Sequence, residues 1–246
     1  MKQAKVELLH NTPLWVAVDG VRTCWASGEK SDTKFYVDTD MDSVLYQSTE
    51  GTRECHDNFE MGEKDLELID RVGNKFKHAS TLEHLYYNFH ITGISRALLQ
   101  ELSRHRIASP SVKSSRYTLK ELKKEKEFNS FDGADFKRAS NYLIWTGNHN
   151  VDISTFFMLE DLRKEILSGT SNDIAKYMMP ENYQTELAWS INARSLQNFL
   201  HLRTNKAALW EIQELAYAIF EALPSDHKYL FEDYLYKEKN TKDKND

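Results

Sequence analysis

The chain has 246 residues, 40% hydrophobic and 28% charged, with a formal net charge of −6. This is the composition of a globular protein able to bury one large core, and it excludes a surface coated in positive charge for duplex nucleic acid. Two cysteines, Cys24 and Cys55, make neither a disulfide framework nor a four-cysteine zinc site. No apolar run approaches the roughly 20 residues that span a bilayer, and MKQAKVELLHNTPLWVAV at the amino terminus lacks a signal-peptide core; a cytoplasmic protein with no membrane partner is expected.

Taken in chain order, the first candidate for chemistry is Cys24. Arg22 two residues upstream is a cation able to lower a thiol pKa, whereas a free cysteine is more often a small buried hydrophobe. Residues 29–65 offer no chemistry. His78, His84 and His90 recur every six residues, with Glu83 adjacent; zinc-binding helices space histidines by four, so no metal is expected. In LYYNFHI (85–91), Leu85, Tyr87, Phe89 and Ile91 alternate with Tyr86, Asn88 and His90, which is a strand pattern. Gly93 is expected to break that strand, and SRALLQELSRHR (95–106) sets Leu98, Leu99 and Leu102 at helical spacing.

The segment RHRIASPSVKSSRY (104–117) therefore begins at a helix C-terminus and runs into a loop. Cations there gain about 0.3–1 kcal/mol from the helix dipole, an ordinary reason for Arg104 and Arg106. Yet residues 104–126 hold eight Lys/Arg against two Glu inside an acidic chain, and concentrated charge has a target. Glu121, Glu125 and Glu127 interleave with the lysines as on a solvated helix face, so nucleic acid is not the expected partner. Residues 118–134 read as loops and surface helix.

Further along, residues 135–146 and 152–167 carry helical spacing, and Thr170 with Asp173 suggests a capping box before IAKYMM, stopped by Pro180. TELAWSI (185–191) alternates as a strand. Residues 192–203 and 205–223 read as helices, the second with Ala208, Ile212, Leu215 and Ile219 on one face. KEKNTKDKND at the end has no apolar side chain, so residues 1–236 are expected to form one domain and 237–246 a charged tail. The fold expected is α/β of the α+β type, a mostly antiparallel sheet flanked by long helices.

Two clusters carry phosphate chemistry, for which Arg supplies a planar fork and Ser small hydroxyl donors. One is Ser109, Ser111, Ser114, Ser115 and Arg116; the other is Asn192, Arg194, Asn198 and Arg203. Together they suit an anionic ligand with a planar heterocycle, although a solvated surface with ordinary ion pairs explains the composition equally well. No GxxxxGK and no GxG occurs, so neither a P-loop nor a Rossmann fingerprint is present.

Arg104-His105-Arg106, seven residues and then Ser114 resembles the signature of the flavin-dependent thymidylate synthases. HASTLEHLYYNFHITGISRALLQEL (78–102), SINARSLQNFLHLR (190–203), WEIQELA (210–216) and VELLHNTPLWVAVDGVRTCW (6–25) also look like that family, so the resemblance covers about residues 6–235. It implies an α/β homotetramer with active sites between subunits, which binds FAD and methylates dUMP to dTMP. Methylenetetrahydrofolate would be the carbon donor and NADPH the reductant, with no cysteine nucleophile. It also implies that His78, Ser80, Arg104, His105, Arg106, Ile107, Asn192, Ala193, Arg194 and Asn198 contact the cofactor. The nucleotide would lie against Glu101, Leu102, Ser103, Arg104, Ser114, Ser115, Arg116 and Lys176, with Arg203 the catalytic cation at the pyrimidine. The chain departs from the family pattern at Ser111 and Val112, where many members carry Asn and an acidic residue, and at Ala207, where some members have a histidine. C5-methylation of another pyrimidine nucleotide, such as UMP, is the alternative.

Overall fold

The computed structural model describes residues 4–37, 44–46 and 59–237. In chain order the elements are β1 (Lys5–Asn11), α1 (Leu14–Cys24), β2 (Lys34–Val37), β3 (Val44–Tyr46), β4 (Phe59–Glu60) and α2 (Glu63–Ile69). There follow β5 (Tyr86–Ser95), α3 (Arg96–Leu102), β6 (Ala108–Val112), α4 (Ser115–Thr118), α5 (Gly133–Ala139) and α6 (His149–Leu167). The last are α7 (Asn172–Ala175), β7 (Gln184–Asn192), α8 (Ala193–Arg203) and α9 (Trp210–Ala222). The architecture is mixed: helices packed on an antiparallel sheet.

That sheet has the order β1-β5-β7-β6, and a smaller one has the order β3-β2-β4. The alternation in β5 does what its period demands. Tyr87, Phe89 and Ile91 are buried and pair across the ladder with Ile191, Trp189 and Leu187 of β7. Helices α1, α3, α8 and α9 cover this face with Leu14, Leu98, Leu196, Phe199, Ile212 and Ile219. Each such apolar side chain contributes about 1.5–3 kcal/mol by leaving water. Asn88 and Ser190 meet on the other, more polar face through a hydrogen bond, the usual division for an antiparallel sheet covered on one side.

Several expectations need correction. Gly93 does not end its strand. With φ at +73° and the register shifting between Thr92 and Ile94, it makes a bulge, and β5 runs on to Ser95. The segment after Ile107 is a strand, β6, rather than a loop; Pro110 is tolerated because β6 lies at the sheet edge. Helix α3 stops at Leu102, four residues short of Arg106, and His105 N–H closes a turn on the Leu102 carbonyl. Ser171, not Thr170, precedes α7, because the Thr170 hydroxyl donates to Glu165. Helix α5 ends at Ala139, and residues 205–209 stand outside α9.

Residues 118–134 are not only surface. Leu119, Leu122 and Phe128 are buried in a second apolar cluster with Phe156, Leu159, Leu162 and Ile166. Glu160 supports it from within, accepting from Phe128 N–H and from the Arg163 guanidinium. Cys24 is exposed, not buried, because it is the last residue of α1. Arg22 turns away from it to bind Asp65. Burial opposes the charge on Asp65, yet hydrogen bonds from Ser31, Thr33 and Arg22 outweigh it and hold the carboxyl below its ordinary pKa. Among the described residues no helix is long and apolar enough to cross a membrane. Cys55 and residues 238–246 of the expected tail lie outside the described residues.

Candidate active site

Helix α3 and the end of α8 build the first part of the site. Ser95 caps α3, its hydroxyl oxygen accepting from Leu98 N–H, and the buried Glu211 holds Ser95 from the start of α9. One Glu211 oxygen accepts from Ser95 N–H at 2.7 Å and the other from the Ser95 hydroxyl at 2.5 Å. Burial raises the Glu211 pKa against these bonds. At the other end of α3, Arg203 donates through Nη1 to Glu101 Oε2 at 2.8 Å and through Nη2 to the Glu101 carbonyl at 3.3 Å. Its Nε donates to His105 Nε2 at 2.8 Å. The His105 ring meets Phe199 edge-on, with centroids 4.9 Å apart. Burial, reinforced by the Arg203 charge, lowers the His105 pKa to about 4, so the imidazole is neutral at physiological pH. Among the described residues, five guanidinium N–H groups less these three bonds leave one N–H on each Nη of Arg203 to offer a ligand.

The second part lies at the start of α8. Helix α2 continues into a π-helical stretch, Asp70–Lys75, and Lys77 has φ +53° just before His78; such irregularities gather at functional sites. His78 and Ser80 are exposed. Glu83 of the next turn pairs with Arg194 at 2.6 Å, which joins this segment to the first turn of α8. Asn198 is exposed one turn further on. Asn192 and Ala193 are buried, unlike Arg194 and Asn198. The Asn192 side-chain oxygen Oδ1 caps α8 by accepting from Ser195 N–H, and Ala193 N–H donates to the Leu85 carbonyl.

The third part is the basic loop. Arg104 and Arg106 are exposed and have no ion pair among the described residues. Ile107 has φ +59°, a strained conformation for a β-branched residue. Leu102 points into the core, and the Ser103 hydroxyl donates to the Gln100 carbonyl. Beyond β6, Ser114 and Ser115 open α4, and α7 packs beside it. Asp173 pairs with Arg116 at 3.3 Å and Asn172 donates to the Arg116 carbonyl at 2.7 Å. Lys176 follows α7 directly. Val112 is exposed near the end of this edge strand, and Ala207 is exposed before α9. Among the described residues no hydrogen bond or ion pair joins Ser114, Arg116 or Lys176 to Glu101, His105 or Arg203. No cluster of His, Cys, Asp and Glu suited to a metal is found among them either.

Sequence reasoning missed Glu211, Phe199, Asn172 and the Asp173 pairing. Glu211 had a signal: it is an acid standing beside the apolar stripe of Ile212, Leu215 and Ile219. Asp173 had none, since its partner lies far away in sequence.

The family described as "Thymidylate synthase complementing protein" matches residues 10–226. A flavin-dependent thymidylate synthase of Wolinella succinogenes is 54% identical, aligned over 92% of this chain and 96% of its own. That of Campylobacter jejuni is 53% identical over 95% and 99%. The chain belongs to the flavin-dependent thymidylate synthase family. It is accordingly an enzyme, a flavin-using methyltransferase. A crystal structure of thymidylate synthase X from Helicobacter pylori with FAD and dUMP superposes with a TM-score of 0.80 at 50% identity, covering 95% of this chain and all of that one. The fold expectation, mixed helix and antiparallel sheet, holds for this flavin-dependent synthase.

Proposed function

We propose that the chain methylates dUMP at C5 to give dTMP, with FAD as cofactor, methylenetetrahydrofolate as carbon donor and NADPH as reductant. It acts as residues 1–236 in one domain, in the cytoplasm, as a homotetramer. The observation that carries the reading is Arg203, half-buried, held by Glu101 and His105, with two N–H groups unpaired among the described residues. Such a pair matches adjacent acceptors on a pyrimidine, and a fixed cation there stabilises negative charge that develops in the ring. The donors also fit FAD. Exposed Arg104, Arg106 and Arg194, with Ser80 and Asn198, provide the cations and neutral donors that a pyrophosphate and an isoalloxazine require.

When bound, the flavin supplies the redox chemistry. The protein binds and orients. Ser114, Ser115, Arg116 and Lys176 hold the nucleotide phosphate, and Arg203 grips the base. Among the described residues these two groups have no direct bond within one chain, which supports a site shared between subunits. No cysteine nucleophile is required. Cys24 lies at the exposed end of α1, and nothing in the Arg203 cluster contacts it.

The test is tritium release from dUMP labelled at C5, in the presence of FAD, NADPH and methylenetetrahydrofolate. Release needing every component is expected. It should fall at least about 100-fold in flavin-loaded Arg203→Ala, the cost of losing a preorganised charge donor, and stay near wild type in Cys24→Ser. No release from wild-type protein that binds flavin would overturn dUMP as substrate, and collapse in folded Cys24→Ser would restore a cysteine mechanism.

A further inference from the structure

We infer that His105 is a positioning residue that fixes the guanidinium plane of Arg203 by accepting its Nε–H, a role resting on the proposed function and additional to any contact with cofactor. The argument starts from the direction of one hydrogen bond. Arg Nε can only donate, so His105 Nε2, 2.8 Å away, must present a lone pair. The imidazole is therefore the neutral Nδ1–H tautomer, and Nε2 is not available to a ligand as a donor.

Arg203 needs this third contact. Its two bonds to Glu101 engage the Nη atoms and leave Nε unheld. Bonding at Nε fixes the remaining rotation, so that the free N–H on each Nη points in one direction. The His105 ring is itself held. Its backbone N–H closes on the Leu102 carbonyl, and its ring packs edge-on, at 77°, against Phe199. Phe199 and Arg203 stand one turn apart on α8, so the same helix packs the ring and presents the group the ring orients. Depression of the His105 pKa to about 4 keeps the acceptor in place at neutral pH.

Two variants separate orientation from packing. His105→Phe keeps the ring edge on Phe199 and removes the acceptor; His105→Gln returns an oxygen acceptor at similar reach. With flavin-loaded protein and dUMP titrated calorimetrically, His105→Phe should bind about 10–100-fold more weakly, the range for losing a hydrogen bond to a charged group. His105→Gln should recover to within a few-fold of wild type. Equal affinity in His105→Phe and wild type, equal damage in both variants, or loss of flavin with nucleotide affinity intact would overturn the inference. Should His105→Phe not fold, 15N spectra of histidine-labelled protein decide: an Nδ1–H tautomer that becomes mixed in Arg203→Ala is expected, and an Nε2–H tautomer in wild type refutes the role. Wild-type protein that binds no dUMP would refute the functional reading alone, since the tautomer still reports on the Arg203 contact.

Discussion

Glu211 shows how much a single buried side chain can organise. Its carboxylate takes both polar hydrogens of Ser95, and Ser95 in turn caps α3, the helix that ends at the Arg203 cluster. Glu211→Ala leaves a buried N–H and hydroxyl without partners, which costs about 1–3 kcal/mol each. Urea unfolding should show a loss of roughly 2–4 kcal/mol, with Glu211→Gln, which keeps one acceptor, losing less. An unchanged midpoint would mean that water replaces the carboxylate. At this scale the sequence was readable where chemistry is local. Arg203 and Arg116 stood out as donors in donor-rich runs. The pairings did not, because Arg203 with Glu101 and Arg116 with Asp173 meet across folds of the chain that no spacing reveals. Asn192 carries a duty that no spacing showed: its side-chain oxygen caps α8.

Among the elements, those with a clear period were legible, and those at edges were not. Strand β5 and strand β7 announce themselves through alternation, since one face is buried. Strand β6 has Ser109, Pro110 and Ser111 and only exposed or half-buried positions, so it has no apolar face to read. The short helices after it were similarly opaque, although Leu119, Leu122 and Phe128 feed a core. Gly93 was read as a terminator because glycine ends strands and makes bulges alike. Its φ of +73° allows the bulge that aims Ser95 at Glu211. Gly93→Val puts a β-branched residue into that left-handed conformation, at a cost of about 1–2 kcal/mol or more. Loss of stability with weakened dUMP binding is expected, by thermal unfolding and calorimetry; a stable variant of normal affinity would show that the bulge does not set α3.

For the whole molecule, titration links the site to the fold. Burial lowers the pKa of His105 to about 4 and lowers that of His227, whose Nδ1 lies 2.7 Å from the buried Tyr87 hydroxyl. In the unfolded chain both protonate near pH 6.5. Between that pH and their folded pKa values the unfolded state binds more protons, so stability is full above about pH 6.5 and falls as the pH drops. Glu211, raised in the fold, works in the opposite direction just above its unfolded pKa. The two histidines should prevail. Thermal unfolding should move to lower temperature from pH 7.5 to pH 5, with a shallower slope in His227→Phe, and a flat profile would show that neither imidazole is held neutral.

Helix α8 also acts as a ruler. Arg194 stands at its first turn and Arg203 at its last, nine residues apart, a fixed distance of about 13–14 Å at 1.5 Å per residue. Loops around the site can change length without moving either arginine relative to the other. A single residue inserted within the helix would swing one end by roughly 100° and separate the two grips, so variation in length among functional relatives is expected to stop at Asn192 and resume after Arg203.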